Sequence, residues 1–236
     1  MSQRKPSLNR VRSRRMSSIR VILERLEPRI ALSTFNVASE SSLRSAISTA
    51  DSNSSSANTI NVTSSITLTD VSNGQLEIRN STGTAKTLTI EGQGAMPSDT
   101  VIAGSTTLNS RIFEIVGAGT AGVTVVLKDL EIAKGRAHDG GILGGAAALG
   151  GGILIDGGQV TLSNVSVTSN RASGAPGVNG AAATGAHAGG AGGNGGAARG
   201  GGIYLAAGQL NVANSQIGSN FATGGPGATA ARGEQG

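Results

Sequence analysis

The sequence predicts an all-β fold in which short parallel strands stack into a solenoid. Three observations predict it: the chain repeats itself, the repeat alternates apolar and polar residues, and aromatic residues are scarce. Residues 150–177 and 200–227 align without a gap and are identical at 13 of 28 positions. A repeat of tens of residues is typical of architectures in which each unit buries its apolar face against its neighbours.

A weaker copy lies upstream, where residues 125–137 align with residues 160–172 at an offset of 35 instead of 50. The difference falls in the connecting segments, which span residues 138–149 in one case and residues 173–199 in the other. We therefore expect a constant structural unit with one connection of variable length, which bulges into solvent without disturbing the stack.

The repeat unit predicts two strands joined at a corner. Apolar residues alternate on each side of Ser163-Asn164, which indicates inward side chains on both strands. They are Val160, Leu162, Val165 and Val167, matched by Leu210, Val212 and Ile217 (with Ser215 as the exception) and by Val125, Leu127, Leu130 and Ile132. A helix would require spacings of three and four.

The same alignment places Asp129, Asn164 and Asn214 at the corner. Asn and Asp tolerate the left-handed backbone of a tight bend, and stacked amides can hydrogen-bond to one another. These features together predict a right-handed parallel β-helix with strands about 4.8 Å apart.

Composition agrees with this fold. The aromatic residues are Phe35, Phe113, Phe221 and Tyr204, too few for the core of a conventional sandwich, whereas narrow columns of Ile, Val and Leu are well supplied. The chain has no cysteine, so it has neither disulfides nor thiolate metal ligands.

The net charge of +5 is unevenly distributed. Residues 1–33 carry a net charge of +7, whereas the rest of the chain carries −2. Binding to nucleic acid needs basic residues arrayed on a folded face, commonly with aromatic platforms. The nearly neutral body of this chain argues against a nucleic-acid partner.

Residues 1–34 form the predicted basic leader. No apolar stretch there is long enough for a secretory signal or a membrane helix, and no hydrophobic segment follows Arg14-Arg15. Residues 26–33, LEPRIALS, resemble the LEPR-XLL motif near the N-termini of large, presumed surface or exported proteins of planctomycetes and some other bacteria. The resemblance implies export to the cell surface or beyond. The alternative is a basic amphipathic helix without a sorting role.

Residues 35–59 are predicted to cap the stack. Leu43, Ala46, Ile47 and Ala50 have the spacing of a short amphipathic helix, with Ser41 or Ser42 as its N-cap and an end in the Ser/Asn run 52–58. The pattern SLRSAI followed by NTINV resembles the SLREAI leader that precedes β-helix repeats in many bacterial exported proteins.

The predicted β-helix spans residues 60–236. Its early strands are expected at residues 66–69, 76–78, 87–90 and 111–115, and its Gly/Ala-rich insert 178–199 is expected to be flexible or loosely ordered. Residues 224–236 restart the connecting segment without a further unit, which predicts a truncated product or a fragment of a longer surface protein. The repeats resemble those of chlamydial-type polymorphic outer membrane proteins, although Val167 and Ile217 stand where that family has Phe.

Cofactor and metal sites are not expected. Residues 117–122 satisfy GxGxxG, but the strand-like residues 123–127 follow where a dinucleotide site needs a helix. Residues 189–200 are glycine-rich but contain no acidic residue to bind calcium.

Because many β-helices cleave polysaccharides, the charged residues near one repeat are candidate catalytic groups. They are Lys128, Asp129, Glu131, Lys134, Arg136, His138 and Asp139, with His187 as a weaker candidate in the insert. Lys128, Asp129 and Glu131 alternate with inward apolar residues, which favours a solvated outer face. His138 beside Asp139 could act as an acid–base pair, but a surface pair is the favoured interpretation, and no residue is assigned a catalytic role.

Two functions therefore remain open. The favoured prediction is a non-catalytic, exported or cell-surface β-helix protein with a structural or adhesive role, for which the expected partner is a cell-surface or extracellular polysaccharide. The alternative is a carbohydrate-active β-helix, either a polysaccharide lyase or a glycoside hydrolase. Activity against acidic glycans would distinguish them.

Overall fold

The computed structural model describes residues 32–117, 122–138, 147–182 and 189–231. Within them it has one α-helix, α1 (Glu40–Ser52), a short 3-10 helix (Pro97–Asp99) and sixteen strands. The strands are β1 (Leu32–Val37), β2 (Ala57–Val62), β3 (Ile66–Leu68), β4 (Leu76–Arg79), β5 (Lys86–Glu91), β6 (Val101–Gly104), β7 (Phe113–Val116), β8 (Val123–Ala133), β9 (Arg136–Ala137), β10 (Ala148–Leu149), β11 (Ile153–Thr168), β12 (Arg171–Ser173), β13 (Ala198–Arg199), β14 (Ile203–Ala213), β15 (Gln216–Gly218) and β16 (Phe221–Thr223).

The strands pair in parallel ladders. The longest runs through β1, β2, β5, the first half of β8, the middle of β11 and β14. Equivalent residues of successive strands form apolar columns along it, one of which is Phe35, Ile60, Ile90, Leu127, Leu162 and Val212. Burial of such columns provides the main favourable free energy of the fold.

Two further ladders share the long strands β8 and β11. One joins β3, β6, β8, β11 and β15 and carries the column Ile66, Ile102, Ile132, Val167 and Ile217. The other joins β4, β7, β11 and β14 and carries the column Leu76, Phe113, Ile153 and Ile203. Smaller ladders join β9 to β12 and β16, and β10 to β13. The apolar columns meet in a single core cluster.

The register confirms both repeat offsets. Val160 is the partner of Val125, and Gln159 is the partner of Gln209. Val165 also pairs with Leu130, as the stacked arrangement requires. The predicted all-β fold with parallel strands is therefore confirmed.

The predicted corner is present as a bend within β8 and β11, and as the break between β14 and β15. Asp129, Asn164 and Asn214 have φ values of 52°, 55° and 50°, in the left-handed region. The side-chain amide of Asn164 donates to Oδ1 of Asp129 at 2.7 Å. A second left-handed column, which the sequence did not predict, follows at Lys134, Ser169 and Ser219.

Directly after that second column lies a buried asparagine, Asn170. Its Nδ2 donates to the carbonyls of Ile132 and Thr168 at 3.0 and 2.9 Å, and its Oδ1 accepts from the backbone N–H of Gly135 at 2.8 Å. Its backbone N–H and Nδ2 both contact Oδ1 of Asn220 at 3.0 Å. One side chain therefore ties three successive layers together.

Helix α1 buries the four apolar side chains expected to face the core, Leu43, Ala46, Ile47 and Ala50. The prediction of its N-cap was wrong: Ser39 is the N-cap, and Ser42 is the N3 partner in a capping box. The N–H groups of Thr69 and Asp70 donate to the carboxylate of Glu40, which helps to fix the helix start two or three residues earlier than predicted.

The C-terminal end of α1 is held by a lysine from another element. Lys86, 5 % exposed, lies at the start of β5, and its Nζ donates to the carbonyls of Ala50 and Asn53 and to Oδ1 of Asn53. A cation there interacts favourably with the negative end of the helix dipole. Burial lowers the pKa of Lys86, and the nearby Asp51 carboxylate opposes that shift.

The glycine-rich residues form an ordered bundle of three extended segments, 174–181, 189–196 and 223–231, called here the glycine-rich bundle. Backbone N–H groups at every third residue donate to backbone carbonyls of a neighbouring segment, all at 2.7–3.2 Å. The first segment donates to the third through the pairs Gly174–Thr223, Gly177–Pro226 and Gly180–Thr229. The second donates to the first through Gly190–Ala181, Gly193–Val178 and Gly196–Ala175, and the third donates to the second through Gly225–Gly196, Ala228–Gly193 and Ala231–Gly190. A period of three is that of a polyproline II helix.

Glycine is required because the segments approach closely: a Cβ on Gly177 would lie 2.1 Å from the carbonyl oxygen of Gly193. Residues 178–182 and 189–199 of the insert are among the described residues, and the rest of it is not. Its flexibility stays a prediction. Strand β1 begins at Leu32, within the predicted leader, whose residues 1–31 are likewise not described.

Candidate functional site

Three of the charged candidate residues, Lys128, Asp129 and Glu131, lie on the outer face of β8. The ammonium of Lys128 contacts Glu91 Oε2 at 3.4 Å and Asp129 Oδ2 at 3.3 Å. Hydrogen bonds and charge from these carboxylates raise the pKa of Lys128. A lysine that acts as a base needs a lowered pKa, which is the opposite shift. Asp129 also accepts a hydrogen bond from Asn164. Lys128, Asp129 and Glu91 therefore form an ion-pair network on the surface.

A second group forms a cleft of about 480 Å³ beside β9 and β12, lined by Arg136, His138, Arg171 and Ser173. We call it the arginine cleft. Arg136 and Arg171 are register partners on adjacent parallel strands, with Cα atoms on strands about 4.8 Å apart. Ala137 and Ala172, the residues that directly follow the two arginines, are both buried. Because side chains alternate along a strand, Arg136 and Arg171 lie on the opposite, exposed side.

Neither guanidinium of the arginine cleft has a carboxylate within ion-pair distance in the described part of the chain. Arg136 Nη1 donates to the carbonyl of Thr106 at 2.9 Å, and Arg171 Nε donates to Ser173 Oγ at 2.8 Å. Within the described residues, these bonds engage one N–H of each guanidinium. Two adjacent guanidinium groups suit a carboxylate, sulfate or phosphate group.

The structure does not gather the other candidates at this cleft. Lys134 is exposed at a left-handed bend, and Glu131 lies on β8 opposite Val101 of β6. Asp139 and His187 lie outside the described residues, so the favoured interpretation of His138 and Asp139 as a surface pair stays a prediction. The GxGxxG segment is largely outside them too, but β8 begins at Val123, so a strand follows it as predicted.

Sequence reasoning missed another cleft, of about 500 Å³, between α1 and β4. Its polar lining includes Arg44, Asp51, Glu77 and Arg79. Burial raises the pKa of Asp51 to about 6, although the N–H of Arg79 and the charge of Lys86 oppose that shift. This is the strongest pKa perturbation toward neutrality in the described residues, and no sequence motif marks it.

The two arginines of that cleft are already paired with carboxylates of the protein. Arg79 pairs with Glu77, and Arg44 pairs with Glu40 at 2.8 Å. Arg44 also donates to the carbonyls of Gly74 and Gln75. These bonds hold α1 against the loop before β4, so packing of the cap explains this cleft. The arginine cleft, in contrast, has donors without anionic partners among the described residues.

Metal binding and membrane insertion find no support in the described ranges. Residues 32–117, 122–138, 147–182 and 189–231 contain no cluster of three His, Asp or Glu side chains able to hold a metal ion. Nor does any helix there have the length and apolar character needed to cross a membrane.

Comparison with known proteins places the chain in a family. Residues 34–173, more than half of the chain, match the family model described as "Putative pectate lyase-like adhesive domain". The chain belongs to this family of pectate lyase-like adhesive domains, to which a surface adhesive function is ascribed. No curated protein and no solved structure gave a match.

The matched region ends at Ser173, so it includes both arginines and His138. The second arginine was not among the candidates drawn from the sequence. A signal for it existed, because the repeat offset of 35 aligns Arg136 with Arg171. The family match agrees with the predicted resemblance to β-helix surface proteins at the level of the fold class; the LEPR-XLL resemblance falls mainly on residues that the structure does not describe.

Proposed function

We propose that this protein is a non-catalytic adhesive module of the cell surface, which binds acidic polysaccharide through the arginine cleft. The observation that carries the proposal is the register pairing of Arg136 with Arg171, which aligns two guanidinium groups along the stacking direction. An extended polyanion lying along that direction would meet both groups, with His138 beside them.

The architecture that we propose is a complete right-handed parallel β-helix, with residues 35–59 as its cap and residues 60–236 as its coils. The support is the set of parallel ladders that share β8 and β11 and turn at left-handed corner residues. We further propose that residues 1–34 direct export, on the strength of the LEPR-XLL resemblance. The family's adhesive description favours an extracellular position.

The chemistry of the cleft favours binding over cleavage. A hydrolase needs two carboxyl groups facing one groove, and the residues that line the arginine cleft are basic or neutral. Lys128, a possible base, is held protonated by its two carboxylate neighbours. Anion recognition needs only the guanidinium donors.

Binding of fluorescent polygalacturonate, sulfated chondroitin and neutral galactan to the intact chain tests the proposal. We expect the acidic polymers to bind in a salt-sensitive manner and the neutral polymer not to bind. Arg171→Ala should weaken binding at least roughly tenfold, the scale of one charged hydrogen-bond pair. Arg79→Ala removes an equal charge from an exposed side chain elsewhere and serves as the matched control.

Equal binding of the neutral polymer, or equal losses in the two variants, would contradict the proposal. The same samples should be followed for new reducing ends and unsaturated uronate. Turnover that disappears in Arg136→Ala or His138→Ala would instead establish the carbohydrate-active alternative.

A further inference from the structure

An aromatic side chain continues the column of the two arginines that line the arginine cleft. Phe221 on β16 is the register partner of Arg171, which is in turn the register partner of Arg136. Successive members of this column lie on strands about 4.8 Å apart. The column therefore presents two guanidinium groups followed by a phenyl ring, and we call it the Arg–Phe column.

The outward position of Phe221 exposes its ring, whether or not another strand pairs with β16. Arg171 has a paired strand on each side, β9 and β16, and its side chain is nevertheless exposed. Inward positions behave differently: Ala137 and Ala172, which follow the two arginines, are buried. Because a further strand would pair with the backbone of β16, it would leave the outward side chains of the Arg–Phe column facing solvent.

A polar column runs beside the Arg–Phe column on the same outward side. Ser173 and Thr223 are register partners, each two residues after a member of the Arg–Phe column. His138 has the same relation to Arg136 and lines the arginine cleft. Hydroxyl and imidazole groups can exchange hydrogen bonds with a hydroxylated ligand. This face thus combines two cations, an apolar ring and neutral hydrogen-bonding groups.

An aromatic ring beside cations does not suit every polyanion. Polyphosphate has no apolar surface, so it gains nothing from contact with a phenyl ring. A sugar ring has a face of C–H groups, whose partial positive charge is attracted to the negative face of an aromatic ring. Nucleic-acid bases also stack on aromatic side chains, but they do so in positively charged grooves, and residues 34–236 carry a net charge of −2.

We propose that Phe221 is a sugar-stacking subsite that extends the arginine cleft, so that the polymer is recognised by its rings as well as by its acid groups. The subsite depends on the proposed function, because the two arginines supply the anion contacts that bring a sugar ring to Phe221. A polymer lying along the Arg–Phe column places the C–H face of one ring on Phe221, while acid groups of neighbouring rings reach Arg171 and Arg136.

Fluorescence anisotropy of the intact chain with labelled oligogalacturonate, polyphosphate and oligothymidylate tests the subsite. We expect Phe221→Ala to weaken oligogalacturonate binding roughly fivefold, the scale of one aromatic contact, and to leave polyphosphate binding unchanged. Phe221→Tyr keeps the ring and should bind like the wild type, whereas Phe221→Leu, apolar without a ring, should bind as weakly as the alanine variant. Met96→Ala removes an exposed apolar side chain elsewhere and should change nothing.

Thermal melting confirms that each variant is folded before its binding is interpreted. Arg171→Ala should weaken the binding of both oligogalacturonate and polyphosphate; if it weakens neither, the proposed function fails and the subsite with it. If Arg171→Ala weakens both but Phe221→Ala has no effect, or Phe221→Leu binds like the wild type, the subsite alone is overturned. Tighter binding of oligothymidylate than of oligogalacturonate, lost in Phe221→Ala, would overturn it in favour of a nucleic-acid ligand.

Discussion

The carboxamides of Asn170 and Asn220 are joined across two layers: Nδ2 of Asn170 donates to Oδ1 of Asn220 at 3.0 Å. The two residues are 50 positions apart in sequence and equivalent in the repeat. Asn220 in turn donates to the carbonyl of Val167 at 2.8 Å. The 50-residue spacing of the two copies therefore has a physical role. Each asparagine bonds to backbone groups of the preceding layer: Asn170 to Ile132 and Gly135, and Asn220 to Val167.

Replacing the buried member of that pair should be costly. Asn170→Ala leaves the N–H of Gly135 and the carbonyl of Ile132 without their partner, so we expect a loss of about 3 kcal/mol or more in the free energy of unfolding. Asn220→Ala, at a partly exposed position, should lose about 1 kcal/mol because water can replace its bonds. Urea unfolding of both variants would measure the difference; equal losses would contradict this role.

Gly152 should tolerate no larger residue, because its missing side chain makes room for Asn170. An added Cβ would lie 2.9 Å from Nδ2 of Asn170 and from the carbonyl oxygen of Gly202. We expect Gly152→Ala to lower the free energy of unfolding by about 1–3 kcal/mol. Gly83→Ala, where a Cβ meets nothing within 4 Å, is the control and should leave stability unchanged or slightly higher. Identical melting of both variants would refute the packing argument.

Asp51 should make stability depend on pH. Burial raises its pKa in the folded state to about 6, above the ordinary value of 3.8 that it has in the unfolded chain, so the folded state binds the proton more tightly. The resulting stability is fully present below about pH 4 and is lost as the pH rises through 6. Relative to Asp51→Asn, the wild type should gain about 1–2 kcal/mol between pH 8 and pH 4, after allowance for partial exposure.

Unfolding by urea at several pH values, compared between these two proteins, measures that gain. Glu40 contributes in the opposite direction: burial would raise its pKa, but the hydrogen bonds from Thr69 and Arg44 outweigh burial and lower it. Because Glu40 is present in both proteins, its contribution cancels in the comparison. A pH-independent difference would mean that Asp51 titrates normally.

The glycine-rich bundle should open locally when its spacing is disturbed. Gly177→Ala would force a Cβ against the carbonyl of Gly193, so the bonds between these segments should break while the apolar core stays intact. We expect amide hydrogen exchange in residues 174–181 and 189–196 to accelerate at least roughly tenfold, with little change in the core strands. Asn179→Ala, at an exposed position, is the control. Unchanged exchange in both would show that the bundle does not depend on glycine.

Much of the ladder arrangement was accessible from the sequence. Alternation at Val160 and Leu162 fixes which side chains face inward, and the copy at Leu210 and Val212 fixes the register, because a slip of one residue would expose every apolar side chain. The corner at Asn164 was predictable for the same reason, since a change of phase marks a bend.

Other features depend on contacts between distant segments. The N-cap is Ser39 rather than Ser41 or Ser42 because the N–H of Thr69 donates to the carboxylate of Glu40. No local sequence pattern reveals this contact. Glycine every third residue is compatible with both a flexible chain and a packed bundle, and only neighbouring segments decide between them.

The candidate site was half predictable. The sequence pointed to Arg136 and His138 within the charged run 128–139. Arg171 lies in the next repeat, where only the offset of 35 aligns it with Arg136. The raised pKa of Asp51 had no sequence signal, because it arises only when α1 docks beside β4.

Residues 32, 57, 87, 124, 159 and 209 are equivalent positions on successive strands of the longest ladder. Each strand therefore pairs with one that lies no more than 50 residues earlier in the chain. Nothing in this ladder has to wait for a distant part of the chain. The strands can therefore pair in chain order during synthesis, each new strand adding to one that is already folded. The docked helix α1 would be part of the first structure to form.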